Sequence, residues 1–170
     1  MFFTSKVCTY RKIEVTSDYY RKAFVSNDLP NLYTGLHYFE KSEFSHEFYK
    51  WLEIITQNWE LFYGQYVKNH YPKGPSMDLT AAIACKILNC EPKVTNKTVK
   101  FPSFTHMKTH VQDWNEYLES WQDNIGIYID RDCRIHIGNY IQDGILHYTE
   151  NSFVTDKIIE RYRSIIDAQQ

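Results

Sequence analysis

The sequence is short of glycine. It has 170 residues and only six glycines. None of them falls in GxGxxG or GxxxxGK, so a glycine-rich phosphate loop is not encoded. GxSxG, HExxH and a Cys–His signature are also missing, which removes the common hydrolase and zinc-protease patterns. No apolar run approaches the ~20 residues that a membrane helix needs. The start, "MFFTSKVCTY", has neither a long apolar stretch nor a small-residue cleavage site, so no signal peptide is expected. The four cysteines, Cys8, Cys85, Cys90 and Cys133, form no CxxC pair. Free thiols in a reducing cytoplasm are the expectation, rather than a zinc site. The net charge is only −2, so no strong field draws the chain to anionic lipid or nucleic acid. Neither is expected as a partner. Repeats, low-complexity segments and interdomain linkers are absent too, which points to one domain over 1–170.

Aromatic side chains are plentiful. They make up 16% of the chain, and 14 of them are tyrosines. Tyrosine keeps one polar atom, so this richness favours half-buried positions and interfaces. Periodicity gives the elements. "KVCTYRKIEV" reads as extended, and "SNDLPNLYTGL" carries turn chemistry at Asn27, Asp28, Pro30 and Asn31. "YTGLHYF" is a short strand in which Gly35 marks a bulge or a close approach by another backbone. From Ser42, a good N-cap, apolar residues recur at spacings of three and four from Phe44 to Tyr66. One helix is therefore expected to about Val67. "NHYPKGPS" ends it. A second helix follows Ser76, with Met77, Ala81, Ala84 and Leu88 on one side and small residues for close packing. Residues 91–124 are less regular, with "FPSFTH" extended and "DWNEYLESW" a helical turn. "IGIYIDRDCRIHIGNY" reads as a hairpin, "GILHY" as a strand, and "SFVTDKIIERYRSIIDA" as an amphipathic helix. The class is α/β or α+β, a mixed sheet with packing helices and more helix than strand.

Several residues carry candidate chemistry. Asp78 sits in a first helical turn, where the helix dipole and free N–H groups favour a carboxylate. The same placement orients an ionised base. His147 ends a strand, either as a structural histidine or as a ligand for a divalent metal. His106 and His110 stand four apart, but Pro102 argues against a regular helix there. "DRD" at 130–132 is turn chemistry. Arg11, Lys12 and "YYRK" at 19–22 form a small basic and aromatic patch, suited to phosphate or sugar or simply solvated.

The succession "LPNLYTGLHYFEKSEFSHEFYKWLEIITQNW", "PSMDLTAAIACKIL" and "GILHYTE" resembles the C-terminal half of a GT-A-type glycosyltransferase. The likeness covers residues 28–90 best and 138–156 more weakly. It implies transfer of a sugar from a nucleotide-sugar donor to an acceptor. Asp78 would be the catalytic base or acceptor contact. Asn31, Tyr33, Thr34, Gly35 and His37 would bind substrate, with Tyr38 beside them. His147 would ligate a Mn²⁺ or Mg²⁺ held by the diphosphate. In such enzymes a nucleotide-binding half with D-x-D precedes this region. The sequence upstream is too short for that half, so the resemblance implies an incomplete domain, either a truncated or split gene product or one that pairs with a second chain.

A non-enzymatic interaction or assembly protein is the other expectation. The aromatic richness suits an interface, and an uncovered sheet edge would call for a homo-oligomer or a partner chain. The small size suits a phage protein. The expected place is the cytoplasm, that of the host if the chain is viral.

Overall fold

Helix α2 (Glu43–Gln57) begins where the sequence puts it. Ser42 is extended, and its hydroxyl accepts the backbone N–H of Ser45, while Ser45 Oγ accepts the backbone N–H of Ser42. This reciprocal capping box satisfies two groups that a helix start otherwise leaves open. The computed structural model describes residues 2–5, 7–8, 11, 13–14, 16, 20–68, 74–90, 104–107, 127–142, 144–148 and 154–169. "DWNEYLESW", His110, Lys12, Ile125 and most of "NHYPKGPS" lie outside the described residues.

The expected long helix is two helices. α2 stops at Gln57, and α3 spans Trp59–Tyr66. Asn58 separates them with φ −119° and ψ 39°. Its side-chain amide donates to the Ile54 carbonyl at 2.9 Å. An asparagine that bonds the local backbone competes with the helical ladder, so the helix is interrupted there. The apolar period runs through the break because both helices face one core.

The chain forms two compact units, residues 1–7 with 14–101 and residues 8–13 with 102–170. In the first unit a short helix α1 (Lys22–Val25) precedes β3 (Tyr33–Phe39), which pairs antiparallel with β1 (Phe2–Ser5). α4 (Met77–Leu88) packs against α2. Every residue from Leu79 to Cys85 is buried. A helix buried all round is a core helix, and Ala81, Ala82 and Ala84 let its neighbours approach closely. Phe48, Ile55 and Ile83 are fully enclosed, each contributing about 1.5–3 kcal/mol of burial. Met77, expected on the packed side, is 52% exposed. α4 ends with Asn89 in the left-handed region, the Cys90 N–H reaching back to the Cys85 carbonyl at 3.1 Å. That closing turn satisfies carbonyls at the helix end. Cys85 and Cys90 are both buried.

β2 (Val7–Cys8) lies where the chain passes between the units' residue ranges. In the second unit β4 (Phe104–Met107) pairs in parallel with β8 (Ile145–Tyr148). β5 (Ile127–Ile129), β6 (Ile135–Ile137) and β7 (Tyr140–Gln142) form an antiparallel meander, the expected hairpin plus one strand. α5 (Asp156–Asp167) packs against β5. Ile129, Ile137 and Ile165 are the buried apolar residues of this unit among those described. The class is mixed helix and strand, as read from the sequence. Among the described residues the strands lie in separate small sheets instead of one mixed sheet. Among the described residues no helix is long and apolar enough to cross a membrane.

Candidate functional site

Asp78 stands in the first turn of α4, after Ser76. Its Oδ1 accepts two hydrogen bonds from Thr34, from the backbone N–H at 2.8 Å and from the hydroxyl at 2.7 Å. Its Oδ2 accepts from the Arg21 guanidinium at 2.5 Å. The two side chains of this ion pair are 8% and 15% exposed. Further hydrogen bonds help to offset the cost of holding an ionised pair this far from water. Arg21 Nη1 donates to the Leu32 carbonyl at 2.8 Å and, more loosely, to Asn31 Oδ1 at 3.4 Å. Asn31 in turn donates to Glu14 at 3.0 Å. The guanidinium also lies 4.7 Å from the centre of the Phe24 ring, a favourable cation–π placement.

The structure therefore brings Asn31, Thr34 and Asp78 together, and Arg21 is what joins them. Sequence reasoning missed Arg21. It placed this residue in a basic surface patch within "YYRK", whereas Arg21 is buried and only Tyr20 and Lys22 beside it are exposed. A buried arginine demands a carboxylate partner, but the sequence gives no means of choosing the one 57 positions away. Glu14 was missed for the same reason.

Tyr33 and His37 stand within electrostatic reach of this cluster. Burial raises the Tyr33 phenol above its usual range, and the Asp78 charge adds to the effect. Burial lowers the His37 imidazole below its usual range, opposed by the attraction of Asp78. His37 Nδ1 lies 3.4 Å from the Tyr49 hydroxyl, and burial raises that phenol too. Gly35 is explained by Tyr33. A Cβ at Gly35 would sit 2.2 Å from the Tyr33 ring. The close approach expected at this glycine is thus made by a side chain and not by another backbone. The pairing with β1 also shifts register across this stretch. Phe3 pairs with Tyr38 and Ser5 with Tyr33, so two steps along β1 match five along β3.

His147 lies in β8 of the second unit, where it is exposed and in register with His106. Asp78 belongs to the first unit. Among the described residues no three His, Cys, Asp or Glu side chains converge on a position for a metal ion. Among the described residues no set around His147 fits Mn²⁺ or Mg²⁺. "DRD" is turn chemistry, as expected. Asp130 accepts from the backbone N–H groups of Asp132 and Arg134 at 2.9 and 3.0 Å. It also accepts from Arg134 Nε at 2.9 Å, and its carboxylate lies 2.8 Å from His136 Nε2. Those contacts, that of His136 first, hold its carboxyl well below the usual range.

A different feature opens to solvent at the end of β3. Tyr38 and Phe39 are 43% and 52% exposed. Phe39 meets Tyr49 edge-on at 5.2 Å between ring centres. The two rings help line an open groove of about 580 Å³ with Lys41, Ser42, Glu43 and His46. Comparison with protein-family models, curated proteins and solved structures finds no match to this chain.

Proposed function

We propose that this chain is a non-enzymatic interaction protein that holds an apolar side chain of a protein partner in the groove beside Phe39. The observation that carries this reading is the exposure of Phe39, which lines that groove with Tyr49. Paired aromatic residues at a concave edge are the usual anchors of binding surfaces. Asp78 supports the same reading from the other side. Its oxygens are engaged by Thr34 and Arg21, and a carboxylate so occupied is a poor acceptor for a substrate proton. The test is a photocrosslinking amino acid in place of Phe39 in the full chain, irradiated in cells. Adducts of discrete mass are expected. Crosslinking no greater than at the exposed Lys50 would contradict the reading.

A second reading is a metal-dependent nucleotide-sugar transferase completed by a partner chain. The gathering of Asn31, Tyr33, Thr34, Gly35 and His37 near Asp78 favours it. Donor hydrolysis with and without Mn²⁺ separates the two readings.

A further inference from the structure

Cys85 and Cys90 face each other across the end of α4. The Cys90 N–H donates to the Cys85 carbonyl at 3.1 Å, and the Asn89 N–H to the Lys86 carbonyl at 3.3 Å. With Asn89 left-handed at φ 48°, these two bonds make a Schellman ending. In that motif the side chains of the first and last bonded residues commonly meet across the turn. Here both of those residues are cysteines, and they are the two cysteines of the first unit. Ordinary bond lengths and the 3.1 Å hydrogen bond hold their Cα atoms within about 7 Å even along a fully extended path. A disulfide spans Cα separations up to about 6.8 Å, so the turn has brought the pair into bridging range. Both residues are buried, yet one of them borders open space. Cys85 forms part of the wall of a polar pocket of about 390 Å³, beside Leu29, Pro30 and Asn31, and Cys90 does not. Asp28, Lys86 and Asn89 on the same wall are exposed, so the pocket opens to water and to small polar molecules.

We propose that Cys85 and Cys90 are a redox pair that reduces a hydroperoxide entering this pocket and closes a disulfide across the end of α4. The deprotonated Cys85 sulfur attacks one peroxide oxygen. An S–O bond forms as the O–O bond breaks, and the departing oxygen takes up a proton and leaves as water or an alcohol. Cys85 is then a sulfenic acid. The Cys90 sulfur attacks the Cys85 sulfur, the S–S bond forms as the S–O bond breaks, and that oxygen leaves as water with the proton Cys90 gives up. Two thiols thus lose two electrons and two protons, and the peroxide gains both. The second sulfur, held across the turn, intercepts the sulfenic acid before further oxidation. A thiol reductant reverses the step by exchange.

Hydrogen peroxide in small excess over the full, unmodified chain tests this, read by mass mapping after trypsin. Trypsin cuts after Lys86, between the two cysteines, so the bridge joins two peptides. One linked species lacking the mass of two hydrogens is expected, and dithiothreitol should separate it. Cys90→Ala should stall Cys85 as the sulfenic acid, trapped by dimedone. In Cys85→Ala, Cys90 should take up dimedone about tenfold more slowly, because it is off the pocket wall. Serine replaces alanine in either variant whose circular dichroism spectrum departs from that of the unmodified chain. Peptides that stay unlinked at peroxide levels that oxidise Cys133 overturn the proposal. So does Cys85 bridged to another cysteine, or a Cys90 that traps dimedone as fast as Cys85. The linkage map needs no variant, so it decides the matter even where a substitution prevents folding.

Discussion

Thr34 gives Asp78 both of its donors, the backbone N–H at 2.8 Å and the hydroxyl at 2.7 Å, across 44 positions of sequence. This bond set ties β3 to the first turn of α4. Asp78→Ala removes it and strands the buried Arg21, for a cost of about 3 kcal/mol. Thr34→Val removes only the hydroxyl bond and should cost about 1 kcal/mol. Urea unfolding of both single variants and the double checks this. The double should cost clearly less than the sum, because the two residues share one interaction.

Tyr33 covers Gly35. Gly35→Ala therefore forces the half-buried ring to move, at a cost of about 1–3 kcal/mol. In a Tyr33→Ala background the same substitution should be nearly neutral. Thermal unfolding of the four proteins is the measurement. An equal cost in both backgrounds would show that the ring is not the obstacle.

The capping box of α2 makes a separate prediction. Ser42→Ala should destabilise the first unit by about 1 kcal/mol, whereas Ser42→Asp should retain most of the stability. Ser45→Ala should cost a similar amount, because Ser45 Oγ also donates to the Glu40 carbonyl at 2.8 Å. Amide exchange in the first turn of α2 reports the loss directly.

These three predictions show what the sequence could and could not reveal. Ser42, the α4 start and the hairpin turn were legible because caps, apolar period and turn chemistry are local signals. Asn58 was not legible as a break. The apolar spacing continues across it, and one side-chain bond to Ile54 decides the matter. Asn31, Thr34 and Asp78 were legible as residue types, but their link through Arg21 is a tertiary pairing that no spacing records. The exposure of Phe39 was hidden for a similar reason. An aromatic at the end of an apolar strand looks the same whether its far face is covered or bare.

Acid should act on the two units through different groups. Asp130 has a folded-state pKa below the unfolded value near 3.9. Its contribution is complete above that value and is lost as pH falls through the folded pKa. His136→Ala should move the Asp130 titration upward, read from its carboxyl chemical shift. Burial lowers the His37 pKa below the unfolded value near 6.5. The stability it gives is present above that value and declines as pH falls below it. His37→Phe should flatten that part of the stability–pH curve.

We propose that Asp78 serves to hold the first unit together rather than to carry out transfer chemistry. Hydrolysis of UDP- and GDP-sugars by the full chain, with and without Mn²⁺, tests it most directly. The account predicts no release of UDP or GDP above the protein-free rate. Turnover that Asp78→Asn abolishes while the variant keeps its fold would contradict it.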